Sequence, residues 1–223
     1  MCGRFTLTID PSELEKVLNA TFEHLTYTED LPKPQYNIAP SENLLAIIYD
    51  HKQQQFRLGK LKWGFEPFYS KPAKRYQIIN ARVESIDQKP AFKDAFKQQR
   101  CLILADGFYE WQTKDKDKTP YYTTFKSQQI FAFAGIYSLK DNLNPSGAIM
   151  TMAAPSAFEK LHQRMPLMLK VEDFKTWLRL EDQDEHLKDW LKTHSLKDPI
   201  FYPVSKAVNS PKNKNPELIQ PLN

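Results

Sequence analysis

The sequence predicts an α+β fold: one domain over residues 1–223, built on a curved, mostly antiparallel sheet or open barrel flanked by helices. Two observations carry this. Short apolar runs bounded by polar turns fill the middle of the chain, whereas helical periodicity is confined to a stretch near the start, a short one near residue 95 and the last third. No regular alternation of strand and helix appears, which argues against a doubly wound parallel fold. A chain of 223 residues can bury most of its apolar surface without staples.

Taken in order, Asp10-Pro11-Ser12-Glu13 reads as an N-cap, a first-turn proline and an early carboxylate, followed by Leu14, Val17 and Leu18 at helical spacing. Pro32, Pro34 and Pro40 then exclude regular helix and predict an irregular loop containing Tyr36-Asn37-Ile38-Ala39-Pro40. Strands are expected over 44–49, 56–63, 77–83 and 101–105, with a helical interruption over 90–98. Further strands follow over 108–112, 121–125, 130–135 and 148–153, with the charged 114–118 run as an exposed hairpin tip. Beyond Pro155 the pattern turns helical over 157–163, 171–180 and 184–194, and the chain ends in a tail rich in proline and asparagine.

Hydrophobic residues at 41%, aromatics at 13% and charged residues at 26% exclude a disordered or fibrous chain. No run approaches the roughly 18 apolar residues of a membrane span, and the start lacks the basic and apolar stretches of a signal peptide, so a cytoplasmic protein without a membrane partner is expected. Cys2 and Cys101 are far apart and neither has a CxxC partner, so no structural disulfide is expected. The net charge of +4 permits a polyanionic partner without requiring one. Five histidines and two cysteines show no zinc-type spacing, and the six glycines form no phosphate-binding loop. No metal and no cofactor are expected.

Cys2 follows the initiator methionine, and its small size is the circumstance in which Met1 is commonly removed. Removal leaves an amine and a thiol on adjacent carbons. An α-amine titrates near roughly 7.7–8.0, so at neutral pH a useful fraction is already nucleophilic. It can condense with an aldehyde to an imine, after which the thiol closes a five-membered thiazolidine on the same carbon. Taken alone, a cysteine at this position is incidental in most chains. Residue by residue, blander readings compete elsewhere: Glu110 as a polar position in an alternating strand, His162 as a helix-end histidine, and Arg82 with Glu84 as a surface pair on one strand face.

The start MCGRF and the segments YNIAPS, IINARVES, ADGFYEW, HQRMPL and PVSKAV followed by PELI span almost the whole chain. Together, and in this order, they resemble the SRAP family, the SOS response-associated peptidases. The resemblance implies a single α+β domain that senses abasic sites in single-stranded DNA, shields them by a thiazolidine crosslink to its N-terminal cysteine, and removes its own Met1. It implies that Cys2, Asn80, Glu110 and His162 form the reactive site, and that Arg4 and Arg82 contact phosphate. Asn37 and Pro40 fall in the segment resembling the family's DNA wedge. In the role scheme that follows, Glu110 moves protons among amine, carbinolamine and sugar, His162 assists sugar ring opening, and Asn80 orients Cys2.

Trp63 leads an aromatic-rich stretch with Phe65, Phe68 and Tyr69 ahead of Lys71 and Lys74, and is the expected stacking platform, although such clusters are more often core. Some relatives carry an arginine before the counterpart of Phe92, where this chain has Lys89-Pro90-Ala91, so a phosphate contact there is weaker or absent. Lys206 reads as a solvated lysine. The expected partner is abasic single-stranded DNA, engaged by a monomer. Three rival readings stay open: an N-terminal-nucleophile amidotransferase, which would release ammonia from glutamine, a noncatalytic single-strand binding module, whose complexes would not survive denaturant, and a dedicated peptidase acting on other proteins, whereas self-processing requires only one cleavage per molecule.

Overall fold

The computed structural model describes residues 2–69, 77–115, 117–126, 130–139, 145–180 and 184–222, without the side chains of 184 and 185. In chain order the elements are β1 (Phe5–Leu7), α1 (Pro11–Thr21), β2 (Leu25–Tyr27), β3 (Gln35–Ile38), β4 (Asn43–Asp50) and β5 (Gln55–Trp63). Next come β6 (Asn80–Arg82), α2 (Lys93–Gln98), β7 (Arg100–Ala105), β8 (Gly107–Lys114), β9 (Asp117–Thr124), β10 (Phe131–Ser138) and β11 (Ser146–Ala153). The last third holds α3 (Ser156–Glu159), β12 (Arg164–Pro166), β13 (Met168–Leu169), α4 (Phe174–Arg179), α5 (Asp184–His194) and β14 (Ile200–Pro203). Two short 3-10 turns, Lys206–Asn209 and Pro216–Ile219, close the chain.

The strands form two sheets, one ordered β14-β9-β8-β1-β3 and a larger one ordered β12-β11-β10-β7-β4-β5-β2. In the larger sheet β5 also meets β11 in parallel, Lys62 beside Ser146 and Trp63 beside Gly147, so β5, β4, β7, β10 and β11 close into a ring. The α+β expectation holds, and its barrel closes through this short parallel contact. β7 and β10 are buried along their whole length, as expected for strands covered on both faces. The smaller sheet lies on the ring through Phe5, whose ring is 5.3 Å from Trp63 and 5.4 Å from Phe133, and through Phe108, 6.1 Å from Phe133.

At the first helix, the Asp10 carboxylate accepts from the Ser12 amide at 2.8 Å and Leu14 and Leu18 are buried, as the capping pattern predicts. The loop expected over Tyr36–Pro40 is instead largely β3, with Phe5 opposite Ile38 and Leu7 opposite Gln35. Pro32 and Pro34 precede the pairing and Pro40 follows it, so the strand needs no amide that proline lacks. The strand expected over 77–83 shortens to β6 followed by a 3-10 turn, Val83–Ser85. The helix expected over 157–163 is only Ser156–Glu159. Lys71 and Lys74, and Lys116 within the expected hairpin tip, lie outside the described residues. No helix among the described residues is long and apolar enough to cross a membrane.

Gly107, the first residue of β8, has no room for a side chain. A Cβ there would meet the Tyr122 hydroxyl at 2.0 Å, and that hydroxyl is hydrogen-bonded to Thr6 Oγ1 at 3.0 Å. Asp106, just before it, accepts from Thr6 Oγ1 at 2.6 Å, Thr8 Oγ1 at 2.8 Å and the Ile9 amide at 2.9 Å, which tethers the turn after β1.

Candidate active site and strand-binding face

β8 divides the site in two. Phe108, Glu110 and Gln112 alternate onto one face and Tyr109 and Trp111 onto the other. On the first face Phe108 packs against Phe158 of α3, 5.9 Å away, and the Gln112 amide donates to the Lys160 carbonyl at 2.9 Å. The segment carrying His162 is thereby held over the end of β8.

The start of the chain runs beside this strand. Phe5 is opposite Phe108, and the Tyr109 amide donates to the Arg4 carbonyl at 2.9 Å. Continued toward the terminus, that register sets Gly3 beside Glu110 with Cys2 next. Cys2 is fully buried and Glu110 is 2% exposed. From the other side, β6 pairs in parallel with β11, placing Asn80 beside Ile149, and the Asn80 amide donates to the Cys2 carbonyl at 2.9 Å. The Asn80 Oδ1 is buried with no hydrogen-bond partner, leaving an acceptor beside the Cys2 backbone. Burial, reinforced by the Glu110 carboxylate, pushes the Cys2 thiol far above its usual range, while the terminal ammonium and the Arg4 backbone pull it down.

His162 is oriented by its own loop: its Nδ1 lies 2.9 Å from the Arg164 amide and 3.1 Å from the Arg164 carbonyl, which fixes the ring against the backbone and turns Nε2 away from it. Arg164 is fixed in turn. Its guanidinium forks onto Glu84 at 2.7 and 2.9 Å and donates to the Thr151 carbonyl at 2.8 Å, while the Ala153 amide donates to Glu84 at 3.1 Å. The burial of Glu84 works to raise its pKa, but the Arg164 fork and the backbone hydrogen bonds outweigh this and hold it below the usual carboxylate value. Glu84 thus pairs with Arg164, 80 residues away, and not with Arg82, which is exposed at the end of β6. Arg164 stands in the HQRMPL segment, but its role is not legible there because its partner is remote in the chain.

On the second face of β8, Tyr109 and Tyr122 pack with Val204, Val208 and Leu218 of the C-terminal segment. Arg4 lies at this seam, donating to Asn37 Oδ1 at 2.9 Å and to the carbonyls of Val208 and Asn209 at 2.6 and 3.1 Å. Burial draws its guanidinium below its usual pKa, and Glu42 and Tyr109 work against that. Asn37 is fully buried, its amide serving the carbonyls of Val208, Ser210 and Asn213. Pro40 is half-buried in the following turn, where Ser41 takes φ +73° and its amide donates to the Trp63 carbonyl at 2.8 Å.

Trp63 is not a stacking platform. It is fully buried, edge-on to Phe5, and its indole donates to the Ile79 carbonyl at 3.0 Å, bracing the residue before Asn80. The tryptophan ends β5 where the ring closes, so its face belongs to the core. The exposed aromatics of the same stretch are Phe68, 66% exposed, and Tyr69, 53% exposed. Lys206, read as solvated, is largely exposed and paired with Asp117 at 2.6 Å. Cys2 and Cys101 are both free. Among the described residues no three histidine, cysteine or acidic side chains are placed to hold a metal.

The structure therefore brings Cys2, Asn80 and Glu110 together, with the His162 loop over the same end of β8. It sets Arg4, Asn37 and Pro40 on the adjoining seam, Arg82 exposed beside it, and Trp63 beneath.

The chain is 40% identical over 99% of both chains to the abasic site processing protein YoqW of Bacillus subtilis. It is 28% identical over the full length of both chains to the abasic site processing protein YedK of Escherichia coli. A solved protein of Bacteroides thetaiotaomicron shares the fold, with a TM-score of 0.79 over 100% of both chains at 20% identity. The model of the family described as SOS response associated peptidase (SRAP) matches residues 1–211, and the chain belongs to that family.

Proposed function

We propose that this chain recognises abasic sites in single-stranded DNA and shields them by joining Cys2, freed of Met1, to the sugar aldehyde. The observation that carries this reading is the buried meeting of Cys2 with Asn80 and Glu110, with the Asn80 amide 2.9 Å from the Cys2 carbonyl. The relatives are abasic site processing proteins, which supports the substrate.

An abasic sugar is mostly a closed hemiacetal. Opening it takes a proton at the ring oxygen and the loss of one from the anomeric hydroxyl. His162 serves the ring oxygen. The Cys2 amine then adds to the aldehyde carbon, and the carbinolamine loses water to give the imine. Glu110 carries the protons for these two steps. The thiol finally adds to the imine carbon, its proton passing to nitrogen, so the thiazolidine forms with net loss of one water. Loss of Met1 moves the terminal ammonium onto Cys2 itself, a closer charge that lowers the thiol pKa against the burial and the carboxylate that raise it. Asn80 holds the Cys2 backbone while its Oδ1 offers the amine an acceptor.

Met1 is removed by the chain's own site: water is added across the Met1–Cys2 bond, releasing methionine and exposing the amine. An amine without the thiol stops at the imine, from which β-elimination cleaves the strand, so the thiol separates shielding from lyase chemistry. Arg4 and Arg82 pair with phosphates, and Phe68 and Tyr69 take the stacking role that buried Trp63 cannot. The protein acts as a monomer.

The test is a denaturing gel of protein mixed with abasic single-stranded DNA. A crosslinked band is expected for the unaltered chain, none for Cys2→Ala, and slower formation for Glu110→Gln, His162→Ala and Asn80→Ala. Complexes that vanish in denaturant at every time and pH overturn the reading in favour of a simple binding module.

A further inference from the structure

The C-terminal segment from Ser205 to Ile219 is strapped across the second face of β8. Its attachments converge on residues of the strand-binding seam. The Lys214 ammonium donates to the Asn37 carbonyl at 2.6 Å and to both Glu42 oxygens at 2.7 Å. Glu42 in turn accepts from the Ala39 amide at 3.2 Å, so the bridge spans the turn that carries Pro40. Asn37 bonds three strap carbonyls, and the Trp111 indole donates to Asn209 Oδ1 at 2.8 Å. Asn213 closes the strap on itself by donating to the Ala207 carbonyl at 2.7 Å.

Arg4 receives the consequence. A guanidinium has five N–H donors in a fixed plane. Nη1 spends both of its own on Asn37 and Val208, and Nη2 spends one on Asn209. What is left is Nε–H and one Nη2–H, donors on the two nitrogens of the guanidinium edge that faces away from Nη1, for the oxygens of a phosphate. The strap carbonyls thus choose which edge of Arg4 remains for the strand.

We propose that the C-terminal strap, fastened by the Lys214–Glu42 bridge and the Asn37 amide, positions Arg4 and the Pro40 turn for a DNA phosphate. Lys214 and Glu42 are positioning residues and make no contact with the strand. The inference rests on the single-stranded DNA reading above and assigns that site an element its chemistry alone does not require. The bridge is exposed, Lys214 by 44% and Glu42 by 40%, so it can be altered without opening the core.

The experiment measures equilibrium binding of intact, non-abasic single-stranded oligonucleotide at fixed salt, which needs no crosslinking. Lys214→Glu and Glu42→Lys are compared singly and together in the full chain, with melting temperature recorded for each. Each single variant is expected to bind roughly fivefold more weakly, the scale of a lost exposed ion pair, and the double variant to recover most of that loss. Glu42→Lys is the discriminating arm: if local charge alone governed affinity, the added cation would tighten binding. Tighter binding by Glu42→Lys, or no recovery in the double variant, overturns the positioning role. An unaltered chain with no affinity for the oligonucleotide overturns the single-stranded DNA reading itself, and the inference with it; unaltered affinity in both single variants overturns the inference alone.

Discussion

Cys2 has a reactive group in a place where reactivity is suppressed: it is fully buried and its thiol is pushed upward by that burial and by Glu110. Its chemistry therefore depends on proton handling by neighbours. Replacing Glu110 with Gln keeps the shape and removes the base, and single-turnover crosslinking at saturating abasic DNA is expected to slow by about 10²-fold. Serine in place of Cys2 retains the amine and disables ring closure by sulfur, so the product is expected to shift from a stable crosslink to a cleaved strand, read on a sequencing gel. Of these residues, Cys2 and Glu110 were legible because each sits in a short distinctive segment. Trp63 reads as a platform in the sequence because a tryptophan in an aromatic-rich stretch looks the same whether its ring faces solvent or closes a barrel; only the parallel contact of β5 with β11 decides it.

At the scale of elements, the join of β6, β11 and β12 depends on Glu84, which ties the 3-10 turn after β6 to Arg164 of β12 and the Ala153 amide of β11. The Glu84 carboxyl is held below its unfolded value. Its contribution to stability is therefore complete above that unfolded value and is lost as pH falls through the depressed folded one. Melting followed from pH 7 downward should show Glu84→Gln lower than the unaltered chain by about 2–4 °C near neutrality, with the difference shrinking at acid pH. A gap independent of pH would assign the loss to packing. At the start of β8, Gly107→Ala drives a Cβ to 2.0 Å from the Tyr122 hydroxyl and should cost about 1–3 kcal/mol in denaturant unfolding. Local pattern located most strands and the first helix to within a few residues. β3 and the 3-10 turns escaped because their hydrogen bonds are made to segments distant in sequence, and proline spacing alone could not say which amides a strand would need.

For the whole molecule, the α+β class followed from pattern, but the division of labour on β8 did not: one face meets the chain's start and the His162 loop, the other its end. That convergence brings residues 2, 80 and 110 together with the His162 loop held over the end of the same strand, and separately joins 4, 37 and 208, through long-range pairing that no local window contains. The resemblance of scattered segments pointed to the first group; Glu84, Arg164 and much of the strap lie within those same segments, but their pairing with partners remote in the chain is not legible there. The central claim is that this assembled site makes a covalent bond through a processed N-terminus, and intact mass measurement of the purified chain before and after incubation with an abasic oligonucleotide tests it most directly. The account predicts a starting mass lacking Met1, then a species heavier by one oligonucleotide less one water that persists in denaturant and is absent for Cys2→Ala. A chain that keeps Met1 yet forms the same adduct, or a processed chain whose mass never shifts, would contradict it.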